Sequence, residues 1–369
     1  MSCNVLGLYG AVGWHPSASD KWVHSSGAAL FRDGSLVGAV SEERLSRVKH
    51  TGVFPERSIA ALLGGEGLAR SDIDHVGFAT CIHSGSEGYI PEGVKQSAER
   101  EFPGKLEFVD HHKSHALLAY LSSPFDDAMV LTFDGAGSSF PSGVETSFYG
   151  LGLRGQLYPL IHSLTGNFGL GEVYNALCRA AYLVKVPDYR PPNAYLFMEA
   201  APGKIMGLAA YGSAEKVEPL NLFSIEQSYD TGFPEIVVHW DYVEIAAKMM
   251  VEANVADIVA RLQFEFEQIL CEWLAAMPTW AKRPHLCLGG GCALNILANR
   301  RIYDSPDIAD VWAHPASSDT GLPIGAALAV LRRRSIGIDR DSLRNPYTGP
   351  DYGSEDIDRA LDKFGICSE

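Results

Sequence analysis

The sequence has no CxxC pair. Its seven cysteines, Cys3, Cys81, Cys178, Cys271, Cys287, Cys292 and Cys367, are scattered and odd in number, as reduced and mostly buried thiols are. It also lacks a basic n-region followed by a long apolar stretch at MSCNVLGLYGAVGW, and no run approaches the ~20 apolar residues of a membrane span. A cytoplasmic protein with no membrane partner is expected. Positive charge is scarce: 30 Lys plus Arg stand against 45 Asp plus Glu, a net charge of −15 that repels phosphate backbones and argues against a nucleic-acid partner. Charged residues make up 20% and hydrophobic ones 46%, a balance that fits neither a disordered chain nor a fibrous repeat. Length is what the chain has in quantity. Its 369 residues allow two or three lobes and a core without staples, which excludes a peptide, a small disulfide scaffold or a single short binding module.

Residues 4–10, NVLGLYG, read as a short apolar strand closing on glycine, and residues 27–43 as two strands turning at Asp33-Gly34. The pattern returns. Residues 128–137, AMVLTFDGAG, form an apolar strand ending in Asp-Gly, and residues 145–164 a hairpin about Arg154-Gly155. Two halves that each open with strand, glycine turn and hairpin predict a duplicated α/β architecture with a cleft between its lobes. Helices follow each hairpin. Pro55 to Leu63 carries an apolar face, and from Val255 to Met277 the i, i+3, i+4, i+7 rule holds, so Phe266 and Trp273 belong to a core rather than to a cofactor box. The strand HLCLGGG at 285–291 leads into a helix from near Ala293. The last periodic helix runs from Leu322 to Arg333. Arg340 to Asp351, polar and holding two prolines, reads as a linker before an amphipathic segment from Ser354 to Phe364.

Three constellations could carry chemistry. Asp110-His111-His112-Lys113-Ser114-His115 follows the strand KLEFV and precedes the apolar ALLAYL, so it opens a helix with Asp110 as N-cap. At a spacing of four, His111 and His115 share one helix face, the separation at which two imidazoles can hold one metal, while His112 points elsewhere. Carboxylates at two element ends, Asp134 in TFDGAG and Asp319 in ASSDTG, strengthen that reading over a pair of ordinary core histidines. Such a mixed site suits iron, manganese or zinc.

Glycine turns come second. Gly289-Gly290-Gly291 lies between a strand and a helix, where backbone amides could approach a phosphate or ribose. It is neither GxGxxG nor a Walker loop. Gly203-Lys204-Ile205-Met206-Gly207 and the stretch Gly166 to Gly171, both in or beside helical patterns, add further glycines, and several such turns in one chain favour a nucleotide cleft over mere close packing. Third, the mixed run from Glu42 to His50 is either a solvated edge or a source of a cation, Arg47 or Lys49, that turns into the cleft.

Taken together, these residues resemble the O-carbamoyltransferases of antibiotic and nodulation-factor biosynthesis. The matching blocks are VLGLYG, HSSGAALFRDGSLV, EERLSRVKHTGVFP, VDHHKSHALLAYLSSPF, LTFDGAGS, GKIMGLAAYG, GGGCALNILANRRI and PASSDTGLPIGAAL, in order along nearly the whole chain. The resemblance implies an actin-like, sugar-kinase-like fold, with lobes at 1–125 and 126–335 and a linker with the start of a further domain at 336–369. It implies Fe(II), with manganese or zinc as alternatives, on His111, His115, Asp134 and Asp319. It also implies attack of an acceptor hydroxyl on a carbamoyl-adenylate with AMP leaving, the nucleotide bound with Mg near Gly203, Lys204, Gly207, Gly289, Gly290, Gly291 and Asn295. His24 matches the family's candidate base or substrate anchor, and Lys49 a basic position suited to the charge of the adenylate.

There are departures. The family's Asp after that His is Ser25 here, so His24 lacks this neighbouring carboxylate. Segment 186–202 does not align. Relatives continue into a YrdC-like domain that makes carbamoyl-adenylate from ATP and carbamoyl phosphate, so a separate activating domain or protein is an expected partner beside the small hydroxyl acceptor. Two other functions fit fewer features: a repurposed acyl or phosphoryl transferase using another donor, and a nucleotide-binding scaffold subunit that would not need four metal ligands.

Overall fold

Short apolar strands interrupted by left-handed turns build two sheets of one design. The computed structural model describes residues 2–10, 23–80, 99–140, 143–165, 169–186, 195–229, 231–348 and 352–366. In the first sheet β1 (Asn4–Tyr9), buried at every position, lies at the centre. Beside it β2 (Gly27–Arg32) and β3 (Ser35–Ser41) form an antiparallel hairpin. Its turn residues Asp33 and Gly34 sit at φ +52° and +84°, the left-handed pair that matches a two-residue turn to the strand twist. On the other side β4 (His75–Thr80) and β5 (Leu106–Asp110) run parallel to β1. The order is β3-β2-β1-β4-β5.

The second sheet repeats this. Its centre is β6 (Asp127–Phe133). After the two-residue β7 (Ser139–Phe140) comes the antiparallel hairpin of β8 (Gly143–Leu153) and β9 (Gln156–Thr165), turning at Arg154 and Gly155 with φ +48° and +74°. A two-stranded excursion, β10 (Phe223–Gln227) with β11 (Pro234–Val238), precedes β12 (His285–Gly289) and β13 (Asp310–Ala313), which run parallel on the far side of β6. Matching strand order and direction in both halves make this the duplicated α/β, actin-like and sugar-kinase-like fold of two lobes about a central cleft.

Helices α1 (Glu42–Ser46) and α2 (Glu56–Gly65) cover the hairpin of the first sheet. Asp110 caps α3 (His111–Leu121), its side chain accepting from Lys113 N at 2.8 Å. Beyond the second sheet come α4 (Leu170–Lys185), α5 (Tyr195–Ala209), α6 (Trp240–Glu252), α7 (Val255–Ala276) and α8 (Ile296–Tyr303). Apolar residues of α7, including Phe266 and Trp273, join the core under β6. The chain ends in α9 (Leu322–Arg333) and α10 (Ser354–Phe364). None of these is long and apolar enough to cross a membrane.

The two halves exchange helices. Helix α3, which follows the last strand of the first sheet, packs on β6 and β12 of the second. Helix α9, which follows the last strand of the second sheet, packs on β1, β2 and β4 of the first, and α3 and α9 lie against each other. Packing therefore crosses the boundary expected near residue 125. Small residues permit the approach: a Cβ at Gly7 of β1 would stand 1.8 Å from Pro323 O, and one at Gly325 of α9 2.0 Å from Ser114 O.

Two sequence expectations change here. The stretch from Arg340, read as a linker, is fastened where it begins. Arg340 donates to the carbonyls of Tyr120, Leu121, Ser123 and Phe125, and Leu343 is fully buried, so polarity there serves a hydrogen-bonded clip. The Gly203 to Gly207 stretch, grouped with the glycine turns, lies in the body of α5 as its helical pattern suggests, and among the described residues nothing stands within 4 Å of a Cβ at either glycine. The expectations for Gly166 to Phe168 and most of segment 186–202 lie outside the described residues or their described side chains.

Because the atom that a new methyl would meet at position 7 is backbone on both sides, Gly7→Ala should lower unfolding stability by about 3 kcal/mol, the upper range for overpacking. Urea denaturation followed by circular dichroism checks it.

Candidate functional site

The carboxyl ends of the central strands bring the polar residues together. Strand β5 ends at Asp110, so the first turn of α3 points His111 and His115 from one helix face, one turn apart. Strand β6 ends into Asp134, and the turn that opens α9 carries Asp319. His111 and His115 face each other Nε2 to Nε2 at 3.2 Å. From His115 Nε2 the oxygens Asp134 Oδ2 and Asp319 Oδ1 are each 3.4 Å away; from His111 Nε2 they are 3.6 and 3.7 Å. One donor atom from each of the four residues lies within 4.8 Å of the others.

That convergence could hold a metal ion, since two ring nitrogens and two carboxylate oxygens lie within 4.8 Å of one another. Burial by itself would push both carboxyls up. Instead the hydrogen bonds and charge of His111 and His115 hold Asp134 well below the ordinary range, and His111, His24 and His115 bring Asp319 down to about 2. Two anionic oxygens and two imidazoles in a buried corner fit a divalent iron, manganese or zinc ion by donor chemistry.

A second ring of groups orients these ligands. Tyr9, fully buried at the end of β1, donates its hydroxyl to Asp319 Oδ2 at 2.8 Å. Gly135 N and Gly291 N donate to the two oxygens of Asp134 at 3.0 and 3.1 Å. Sequence reasoning named neither Tyr9 nor Gly135 as part of the site, although the strand-end pairs Tyr-Gly and Asp-Gly were visible. His112 points away, as its place on the helix predicts: its Nδ1 meets Thr132 Oγ1 at 2.7 Å, and burial followed by the charge of His111 and His115 lowers it to about 3.

His24 is brought to the cluster. Its Nδ1 stands 3.7 Å from Asp319 Oδ2, so a carboxylate does accompany it despite Ser25. Lys49 is not brought there. It is exposed on the loop that flanks His24, next to His50, whose Nδ1 is 3.4 Å from Ser25 Oγ.

The glycine turn after β12 abuts the same ligands. Gly290 has φ +85°, and a Cβ there would meet Phe133 O at 2.4 Å, while one at Gly291 would meet Asp134 Oδ1 at 2.9 Å. Contact with the Asp134 turn therefore already requires glycine here, and a side chain at Gly290 would strain the backbone whether or not a ligand binds. Asn295 is engaged as the N-cap of α8, accepting from Ala298 N at 3.0 Å and exchanging hydrogen bonds with Gln263. Lys204 lies over the Tyr182 ring at 6.0 Å.

Comparison with known proteins bears on this geometry. A family model described as the carbamoyltransferase N-terminus matches residues 18–103 and 92–328. Nodulation protein NolNO of Sinorhizobium fredii is 31% identical over 392 residues, covering 97% of this chain and 54% of that protein. Nodulation protein NolO of Bradyrhizobium diazoefficiens is 27% identical, covering 67% of this chain and 42% of that protein. The chain thus spans about half the length of the curated relatives it matches. Among solved structures, full-length HypF in its phosphate- and nucleotide-bound form shares the fold, with a TM-score of 0.50 and 12% identity over 90% of this chain and 46% of that one. Because the family match runs through both sheets and all four converging residues, the chain belongs to the carbamoyltransferase family.

Proposed function

We propose that this chain transfers a carbamoyl group from carbamoyl-adenylate to a hydroxyl of a small acceptor, with iron(II), or manganese or zinc, on His111, His115, Asp134 and Asp319. The observation that carries this reading is the buried convergence of those four side chains beside His24, in a carbamoyltransferase. A metal bound there supplies Lewis acidity toward a phosphate or carbonyl oxygen.

The protein's own groups do the rest. In the transfer the acceptor oxygen bonds to the carbamoyl carbon, the bond from that carbon to the phosphate oxygen breaks, and AMP leaves with the electron pair. His24 takes the hydroxyl proton on its Nε2, while Asp319 near its Nδ1 holds the ring in the matching tautomer. Tyr9 keeps Asp319 from turning as His24 gains charge, because its hydroxyl occupies the second carboxylate oxygen.

The nucleotide part, with Mg, lies between the Gly289 to Gly291 turn and the open face of α5 at Gly203 and Gly207. Space at those two helical glycines supports this placement, since a ligand can approach the helix closely there. Lys49, on the exposed loop beside His24, meets the charge of the adenylate. The acceptor belongs to natural-product chemistry of the antibiotic or nodulation-factor kind. Carbamoyl-adenylate reaches the chain from a YrdC-like activating domain or protein, and the cytoplasm is where both meet.

Three measurements test these assignments. Elemental analysis of protein purified without chelator should find close to one transition-metal ion per chain, and less than a tenth of that in the His111→Ala, His115→Ala double variant. Unchanged metal content in the variant removes these histidines from the site. Gly203→Val, whose Cβ meets nothing within 4 Å among the described residues, should weaken AMP binding about tenfold by calorimetry with little change in melting temperature. Equal affinity places the nucleotide elsewhere. Supplied with carbamoyl-adenylate, the chain should carbamoylate hydroxyl acceptors, and His24→Asn should slow transfer on the order of a hundredfold or more with AMP affinity intact. Transfer at the wild-type rate by that variant denies His24 the proton, and no transfer by the wild type across many acceptors favours a different donor.

A further inference from the structure

The core face of the second sheet is broken at one end. It carries Leu131 and Phe133 on β6, Tyr149 and Leu151 on β8 and Ile161 on β9, all buried in one cluster with α7. Two residues beyond the facing pair Tyr149 and Ile161, the alternation that keeps one face of a sheet apolar calls for two more large side chains. Serines stand there instead. Ser147 of β8 and Ser163 of β9 lie directly opposite each other in the ladder, and both are only half-buried.

Their small size leaves room. The two serines line a partly open cavity of about 200 Å³, bounded on its other sides by β11, by Trp273 of α7 and by Trp240, the first residue of α6. Packed interiors keep few voids larger than a water molecule, and a hollow of this size is enough for a substituted benzene ring. Trp273 is not free to swing into it. Its ring N–H donates to Pro234 O at 2.8 Å, and its ring stands edge-on to Tyr149 with centroids 5.5 Å apart. Trp240 differs: its ring N–H is buried and meets no acceptor among the described residues. A buried donor left without a partner costs free energy that an oxygen of a bound molecule recovers.

Charge narrows the choice. Glu235 is the one charged residue that lines the cavity, and no basic residue does, so an anion would meet a like charge and no counterion. An ammonium group, in turn, has no lone pair for the Trp240 N–H.

We propose that this cavity is a binding site for a small neutral molecule, a single ring bearing a carbonyl or ether oxygen that accepts from Trp240. The site lies on the face of β6 away from the metal ligands: Leu131 and Phe133 pack with α7, whereas Val130 packs with α3, and Thr132 meets His112. It therefore stands apart from the carbamoyl transfer argued above and does not rest on it.

Acetophenone and toluene are the probes, their affinities for the full-length protein read by calorimetry. Acetophenone should bind the wild type with a Kd of about 1 mM or tighter. Benzoate, of similar size but anionic, should bind about tenfold more weakly. Trp240→Phe keeps a ring and removes the N–H, so acetophenone should lose about fivefold, the effect of one hydrogen bond, while toluene, which has no acceptor, binds both proteins alike. Ser147→Leu combined with Ser163→Leu fills the hollow and should abolish binding of both probes. No binding of either probe by the wild type overturns the site, as does binding that the leucine pair leaves unchanged. Equal loss of acetophenone and toluene in Trp240→Phe, or benzoate bound as tightly as acetophenone, overturns the ligand class. If the double variant does not fold, Ser163→Val alone decides: weaker acetophenone binding supports the site and unchanged affinity overturns it.

Discussion

Two carboxylates held ionised in one buried corner are the constraint on which the rest of this structure depends. Asp134 and Asp319 both come from the second half, at the end of its central strand and at the turn into α9, and the two imidazoles that the first half supplies on α3 stand within 4 Å of both. Like charges at such separation in a poorly solvated place repel strongly, so every nearby element supplies a donor. Gly135 and Gly291 give backbone amides, Tyr9 gives a phenol, and the proposed metal gives the positive charge that neutral donors cannot.

Meeting that constraint shapes the fold. A ligand set drawn from both halves holds only if the halves are locked, and the exchange of α3 and α9 provides the lock. Each helix starts at the site and runs back across the other half's sheet. Ten successive residues of α9, Leu322 to Leu331, are buried, as a helix packed on all sides must be. Movement of one lobe against the other would drag a ligand with it, since His111 rides on α3 and Asp319 opens the turn into α9. His111 and His115 thus ride on a rigid helix, and a proposed metal site anchored on such an element keeps its geometry better than one built on loops alone.

Much of this was legible in the sequence because it is local. Asp33-Gly34 and Arg154-Gly155 announce hairpins by turn chemistry, the spacing of His111 and His115 follows from helical pitch, and Asp110 is an ordinary cap. Duplication shows as a repeated order of strand, turn and hairpin. What could not be read depends on contacts distant along the chain. Tyr9 touches Asp319 across 310 positions, and Asn295, attractive beside three glycines, turns out to be spent on a cap and on Gln263. Arg340 looked like part of a linker because polarity alone does not tell a solvated residue from one that satisfies buried carbonyls.

The corner that holds His24 is built differently from the metal set. Ser25, Arg47 and His50 all have positive φ, at 57°, 62° and 53°, a conformation that costs non-glycine residues energy unless their surroundings impose it. Here the surroundings do. Thr51 O accepts both the amide and the hydroxyl of Ser26, Glu43 accepts His50 N, and a Cβ at Gly52 would lie 2.0 Å from Val23 O. Residues 47–53 are thereby clamped against 23–26, so the loop that displays Lys49 also sets the position of His24. A change in that loop cannot leave His24 untouched. The acceptor and donor roles proposed for His24 and Lys49 therefore fall on the two sides of one strained clamp.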